Sequence, residues 1–491
     1  MDGSEYDVIV MGTGVTESIL SGLMSLEGRK VLHIDRNPYY GDSGASLNIT
    51  SLWKQFRPDQ EVPKELGANR DWNVDLIPKF IMSFGKLVKM IIKTKVSEYL
   101  NWKPVDGIFV YQWQKGGFFT KEGGKIEKVP ATAKEALSSD LMSILEKRRC
   151  HSFMSFVTEF DLKKPETYKK KETDPRNVTF GQYIKYWDLE DNTIDFLGHA
   201  VALYASDDFL NRPALEVLDK MQLYIESNGR FGNSPFIYPV YGLAGIPESF
   251  ARKCAVYGGT FMLNVTCKSL TFDPQTNLST FTGSFDGVEG TAKAKMIIAN
   301  PAYYQALGHG KLIKPVSKTI RCICIMDHPI PNTDNCNAVQ IIIPQKQTGR
   351  KSDIYVMQIG PSHGVCKKGY YLAICSTTAE AKTVDEDLKL AFNIIGPVLY
   401  KFVTEEIVYE SASKDVTNNW FVTSTLDATS HFESSAENVM EIYRKITKKE
   451  LDLNMDTEMK EQGYVRPIVE RNAHNNVQVR QPNGQRVPAV K

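Results

Sequence analysis

The segment Met11-Gly12-Thr13-Gly14-Val15-Thr16-Glu17 constrains this chain more than any other stretch. It follows a strand-like run, Tyr6-Asp7-Val8-Ile9-Val10, and opens a helix-like one; a second strand, Lys30-Val31-Leu32-His33-Ile34, ends in Asp35. A glycine loop between strand and helix, with an acidic residue about 20 positions further on, is the setting of a FAD or NAD site. Gly12 and Gly14 supply the tight turn and the close backbone approach, but Glu17 replaces the third glycine of the pattern. A carboxylate in a first helical turn suits the helix dipole. It also puts negative charge where a pyrophosphate would sit. The expectation is a flavoprotein-like fold with a damaged flavin site.

With 491 residues the chain is long enough for two or more domains and a large core. A hydrophobic fraction of 42% with 24% charged residues is that of an ordinary globular protein. The net charge of +1 provides no global field for nucleic acid. Apolar runs such as Met90-Ile91-Ile92 and Ile341-Ile342-Ile343 are far too short to span a bilayer, and no basic-then-apolar leader precedes the first strand. The eight cysteines form no C-x-x-C pair; Cys322 and Cys324 alternate with apolar residues and read as strand residues in a reducing cytosol. The C-terminal Pro488-Ala489-Val490-Lys491 is no prenylation box.

Residues 1–110 read as mixed α/β, followed by a glycine-rich hairpin or linker around Gly116-Gly117 and Gly123-Gly124. Residues 131–226 read as helical, because Leu137, Leu141, Ile144 and Leu145, then Ile194, Leu197, Val201 and Tyr204, then Leu218, Met221 and Ile225 recur at spacings of one helical face. This stretch is an all-helical insertion in the α/β body. Its lysine run, Lys169, Lys170 and Lys171, is a solvated loop or, on a second reading, an anionic-lipid contact. Residues 237–435 return to strands, with 280–282, 295–299, 354–357 and 371–375 as examples, and a helix near 437–449 closes the globular part. The tail, 463–491, is rich in Asn, Gln, Arg and Pro without periodicity and is expected to be disordered.

No catalytic machinery is visible. The Gly-Lys pairs at 85, 124 and 310 lack the Ser or Thr of a phosphate loop; there is no H-e-x-x-H, no metal-spaced His/Cys set and no G-x-S-x-G elbow. His199, on an apolar helical face, reads as a hydrogen-bonded core residue rather than a base.

The blocks 6–22, 35–41, 72–79, 238–243, 341–345 and 350–356 together closely resemble Rab GDP-dissociation inhibitors, whose sister family is the Rab escort proteins. The resemblance covers roughly residues 5–453. It implies an α/β fold, a FAD-monooxygenase-like mixed α/β domain (1–130 and 227–453) with an inserted all-helical prenyl-binding domain (131–226). It also implies no cofactor, no catalysis and a monomer that is cytoplasmic with transient membrane contact. The implied partners are GDP-bound, geranylgeranylated Rab GTPases and their prenyl lipid.

Site residues follow from the matching blocks. Tyr40, Arg252, Thr260 and Met262 resemble the Rab-binding platform, and Arg70 a basic residue ahead of the Trp72–Lys79 block. Relatives often carry an acidic residue where this chain has Gly245 and an arginine where it has Ala68; Glu248 stands in for the missing acid. Val110 resembles a hydrophobic site for the Rab C-terminal tail. Met142, Leu145, Phe153, Phe156, Leu197, Val201, Leu218 and Met221 are the expected prenyl-slot lining, with ordinary helix–helix core as the other reading of each. Two other functions remain open on sequence: an escort protein that presents Rabs to a geranylgeranyl transferase, and a flavin-dependent amine oxidase-like enzyme, against which Glu17 argues.

Overall fold

A computed structural model describes residues 2–114, 123–130, 142–161, 164–167, 173–232, 234–454, 478–480 and 486–488. Strand β1 (Asp2–Met11) runs into helix α1 (Val15–Leu26), which returns to strand β2 (Val31–Ile34) beside β1 and parallel to it. This is the expected βαβ unit. β1 also pairs in parallel with Val288–Ala299, β2 with Thr260–Met262, and Val288–Ala299 with Trp420–Val422. The antiparallel strands Leu278–Phe285 and Thr266–Asp273 extend the sheet.

A second seven-stranded sheet has the order Tyr400–Ser411, Ile313–Met326, Tyr371–Thr378, Ile354–Ile359, Ala338–Ile343, Gly107–Gln114, Gly123–Lys128. Its last two strands pair antiparallel, as the glycine-rich hairpin reading expects; the residues joining them lie outside the described ones. Its central strands are buried on both faces, for instance Ile341, Ile342 and Ile343. That is why they read as continuous apolar runs rather than as alternation.

Between residues 142 and 227 the named elements of the described residues are all helical, including Ile144–Glu159, Asp191–Phe196 and Ala214–Ser227. Leu137, Leu141 and the lysine run at 169–171 lie outside the described residues. The closing helix spans Glu433–Thr447. One hydrophobic core joins Val10 and Leu20 of the βαβ unit, Phe80 and Phe236 at the centre, and Phe153, Leu197 and Leu218 of the helices.

Of the tail, Gln478–Arg480 pairs antiparallel with Arg486–Pro488, and the other residues beyond 454 lie outside the described ones.

Candidate functional site: a filled glycine loop and an exposed platform

The glycine loop is built as the sequence suggests, and its own side chains fill it. Gly12 has φ +105°, a conformation open to glycine. A side chain at Gly14 would collide with the Glu17 carboxylate, which therefore lies over the loop. Glu17 is buried, and its other oxygen accepts a hydrogen bond from the Thr423 hydroxyl. Asp35, the residue expected to meet a ribose, is spent internally. It accepts from the Thr13 N–H and hydroxyl at 2.6 Å each, from the Asn37 N–H at 2.8 Å and from the Tyr303 hydroxyl at 3.2 Å. Asp42 adds a third buried carboxylate, bonded to Asn300 and to Arg36. A cavity of about 460 Å³ opens beside the loop, lined in part by Gly14, Glu17, Asp42, Leu426 and Phe432. Glu17, Asp42, Glu405 and Glu406 on its lining oppose a pyrophosphate, so these residues do not fit a flavin dinucleotide.

The same burial makes Glu17 a titrating group. Desolvation is the main cause, with the Asp42 and Asp35 charges adding to it and the Thr423 hydrogen bond opposing; together they lift its pKa from 4.5 to about 7. Folding thus favours the protonated form. The cost is absent below pH 4.5, grows as pH rises, and is complete above about 7. Glu17→Gln keeps an acceptor for Thr423 and removes the charge. It should raise stability at pH 8 by roughly 3 kcal/mol and leave stability at pH 4 nearly unchanged. Urea denaturation at both pH values checks this, and equal effects at the two would contradict it.

On the other side of α1 lies the face that carries the expected platform. Helix Gly245–Val256 packs on α1, where the Ser21 and Ser25 hydroxyls donate to the Cys254 sulfur at 3.3 and 2.7 Å. This leaves Glu248 and Arg252, one turn apart, exposed. Arg252 lies over the Tyr99 ring at 4.6 Å from its centroid. Tyr40 follows β2, half-buried, with its ring 6.4 Å from that of Phe261. Burial and the nearby Glu248 carboxylate hold its phenol above the ordinary pKa. Thr260 is exposed and Met262 half-buried on the strand beside β2. The structure therefore brings Tyr40, Glu248 and Arg252 together beside Phe261, whereas Thr260 and Met262, on the same edge strand, alternate with Phe261 and point to the other face of the sheet, where Met262 packs on the core.

Arg70 is exposed on the turn Asn69–Asp71; close by in sequence, the Asn73 side-chain amide donates to the Gly364 carbonyl, and Gly364 packs on Tyr241. Asp75 explains two of the sequence blocks. Buried, it accepts from Ser46, from Tyr238 and from the Leu243 N–H at 2.9 Å, pinning the 238–243 loop. That pin holds Tyr241 outward at 67% exposure and at φ +72°. Tyr241, Tyr99 and the exposed pair Val256 and Tyr257 were not singled out by sequence reasoning. The only available signal was Tyr241-Gly242, a turn dipeptide inside an otherwise apolar block.

The remaining expected residues divide. Val110 is 2% exposed, in a strand paired on both sides, through Ile342 and Glu127, so it departs from the expected surface grip. Phe153, Leu197, Val201, Leu218 and Met221 are buried together, and Phe156 and Met142 pack against them half-buried. Leu145 is 67% exposed and lines nothing, because it lies on the outer side of a first turn that buries Glu146 instead. All eight cysteines are free, and Cys322 and Cys324 lie buried 3.6 Å apart between strands. No metal-competent cluster and no helix long and apolar enough to cross a membrane occurs among the described residues.

The mixed α/β fold is shared with oxidoreductases of known structure. An oxidoreductase from Methanosarcina mazei superposes with a TM-score of 0.54 over 90% of this chain and 100% of that chain, at 15% identity, a likeness of fold alone. The chain belongs to the GDP dissociation inhibitor family, which it matches over residues 1–458. It is 47% identical to a guanosine nucleotide diphosphate dissociation inhibitor of Arabidopsis thaliana, over 92% of this chain and 97% of that one. It is 43% identical to Rab GDP dissociation inhibitor beta of Canis lupus familiaris, over 91% and 96%. The crystal structure of a Rab GDI from Plasmodium falciparum superposes with a TM-score of 0.86 at 46% identity, covering 92% of this chain and 100% of that chain. Membership in a family defined by inhibition of GDP dissociation makes this chain a regulator rather than an enzyme.

Proposed function

We propose that this chain binds GDP-loaded, geranylgeranylated Rab GTPases as a monomer, slows GDP release, draws them off membranes and carries them through the cytoplasm. The observation that supports this reading is the cluster of half-buried Tyr40 with exposed Glu248, Arg252 and Tyr99 on buried supports. Aromatic and arginine side chains presented this way have the composition of a binding hot spot. The relatives named as Rab GDP dissociation inhibitors support the choice of partner.

The helices of residues 131–226 are the proposed lipid-binding domain, with Phe153, Phe156, Leu197, Val201, Leu218, Met221 and Met142 as its apolar lining. Each buried methylene of a prenyl chain is worth about 0.8 kcal/mol. A carrier must match that with an apolar slot and add a protein interface that selects the GDP state. The test is extraction from liposomes of a prenylated Rab loaded with GDP or with a GTP analogue. Release of the GDP form alone is expected; equal release of both, or of neither, would refute the reading.

A further inference from the structure

The Leu197–Val201 segment is a π-helical turn, in which the Ala202 N–H donates to the Leu197 carbonyl at 2.8 Å. Wide turns of this kind are rare and concentrate at functional sites. The chain leaves the turn through Leu203, a branched residue at φ +59°, which adds backbone strain. Gly198 lies so close to the Phe209 ring that any side chain there would displace it.

At the centre of the turn sits His199, with no exposed side-chain surface. Its Nδ1 lies 2.7 Å from Asp353 Oδ2 and 3.1 Å from the Tyr204 carbonyl, and its Nε2 lies 3.0 Å from Asp207 Oδ1. Asp353 immediately precedes strand Ile354–Ile359 of the second sheet and is fixed there by the Gln345 N–H at 2.9 Å. The bridge therefore ties the helical region to that sheet. A second bridge runs parallel to it: Lys346 Nζ lies 2.5 Å from Asp195 and 3.4 Å from Asp207. The charged groups facing His199 are thus Asp353, Asp207 and, one step away, Lys346 and Asp195.

Leu197 and Val201 flank His199 in the same turn and face the core shared with Phe153 and Leu218. The bridge ties that turn to the second sheet. We propose that His199 is a positioning residue: the Asp353–His199–Asp207 bridge latches the wide turn onto the second sheet, and its release frees the Leu197 and Val201 face for an isoprenoid chain. This rests on the lipid-binding reading above.

The latch is protonation-dependent. Burial works against the imidazolium, but the hydrogen bonds and charges of Asp353 and Asp207 outweigh it and lift the His199 pKa above the ordinary range. Burial lifts Asp353 as well, so the two hold their proton as a unit, while Asp207 is held below its usual range by His199 and Lys346. A histidine whose folded pKa is raised stabilises fully below its unfolded pKa and ceases to as pH climbs through the folded one. The latch is therefore closed at low pH and loosens as pH climbs through the raised His199 pKa.

The experiment uses the full chain and a dansyl-labelled geranylgeranylated peptide as probe. Amide hydrogen exchange over residues 197–207, corrected for intrinsic rate, and probe affinity are followed from pH 6 to 9. In the wild type, protection should fall and probe affinity rise as pH increases, because the competent state becomes more populated. His199→Gln and Asp353→Asn should each flatten both profiles at the loosened level, with affinity several-fold above wild type at pH 6. Should either fail to fold, Lys346→Ala, on the part-exposed second bridge, should loosen the same amides. Flat profiles in the wild type, or a His199→Gln protein that keeps the wild-type slope, would overturn the latch while leaving lipid binding intact. Exchange that behaves as stated with no probe bound by any form would uphold the latch and refute the lipid reading.

Discussion

Truncating Arg252 or Tyr40 to alanine should lower affinity for a GDP-loaded Rab by roughly 30- to 1000-fold, the range of about 2–4 kcal/mol typical of hot-spot aromatics and arginines. Both side chains project from supports they do not hold together. Arg252 is exposed on a helix whose opposite face is buried against α1, and Tyr40 follows a strand buried along its whole length. The melting temperature should therefore stay within a degree or two of wild type. Arg252→Lys should recover only part of the loss, since an ammonium lacks the planar stacking that the guanidinium has over Tyr99. Titration of each purified variant against GDP-Rab decides the matter. Wild-type affinity in both alanine variants would remove these residues from the interface.

The largest effect on stability is expected at Asp427. Lys79, at the end of the block that starts at Trp72, has no exposed surface; its ammonium bonds Asp427 at 2.6 Å, the Thr429 hydroxyl at 3.0 Å and the Thr429 carbonyl. Burial pulls the Lys79 pKa down, and Asp427 pulls it back. Burial likewise opposes the Asp427 charge, but Lys79 and the Thr429 and Ser434 hydroxyls outweigh it and hold the carboxyl well below the usual range. Asp427→Asn leaves a buried ammonium without its counter-charge and should cost about 3–5 kcal/mol. Lys79→Met, which removes the charge and keeps the volume, should cost less. Urea denaturation of both variants tests the asymmetry. If Asp427→Asn costs under about 1 kcal/mol, the pair is a surface-like bridge rather than an internal strut.

Local signals in the sequence were legible and long-range ones were not. Gly12, Gly14 and the two strands around them announce the βαβ unit because turn, helix and strand are adjacent in the chain. Nothing nearby says that β1 takes residues 288–299 as its other neighbour. The helical periodicity of Ile194, Leu197, Val201 and Tyr204 concealed a π turn, since one extra residue per turn barely shifts an apolar stripe. Val110 was misplaced because Ile108-Phe109-Val110-Tyr111 is apolar on both faces, and a run without alternation does not say which side, if either, meets solvent. Leu145 erred the other way: periodicity assigns a face but not whether another element covers it. Tyr40, Glu248 and Arg252 could be named, but their proximity arises only when helix Gly245–Val256 packs on α1.

One apolar cluster joins Val10 and Leu20 to Phe80, Phe153 and Leu218, so the helices share their core with one face of the first sheet. A lid hinged on its own small core could open at its own modest cost, independent of the rest of the molecule. Here, parting Leu197 from Leu218 strains an apolar network that reaches the glycine loop. Stability and capacity for cargo are thus drawn from one reservoir. A substitution as remote as Phe80, outside both the proposed platform and the proposed lipid lining, should retune how readily the protein takes up the proposed lipid.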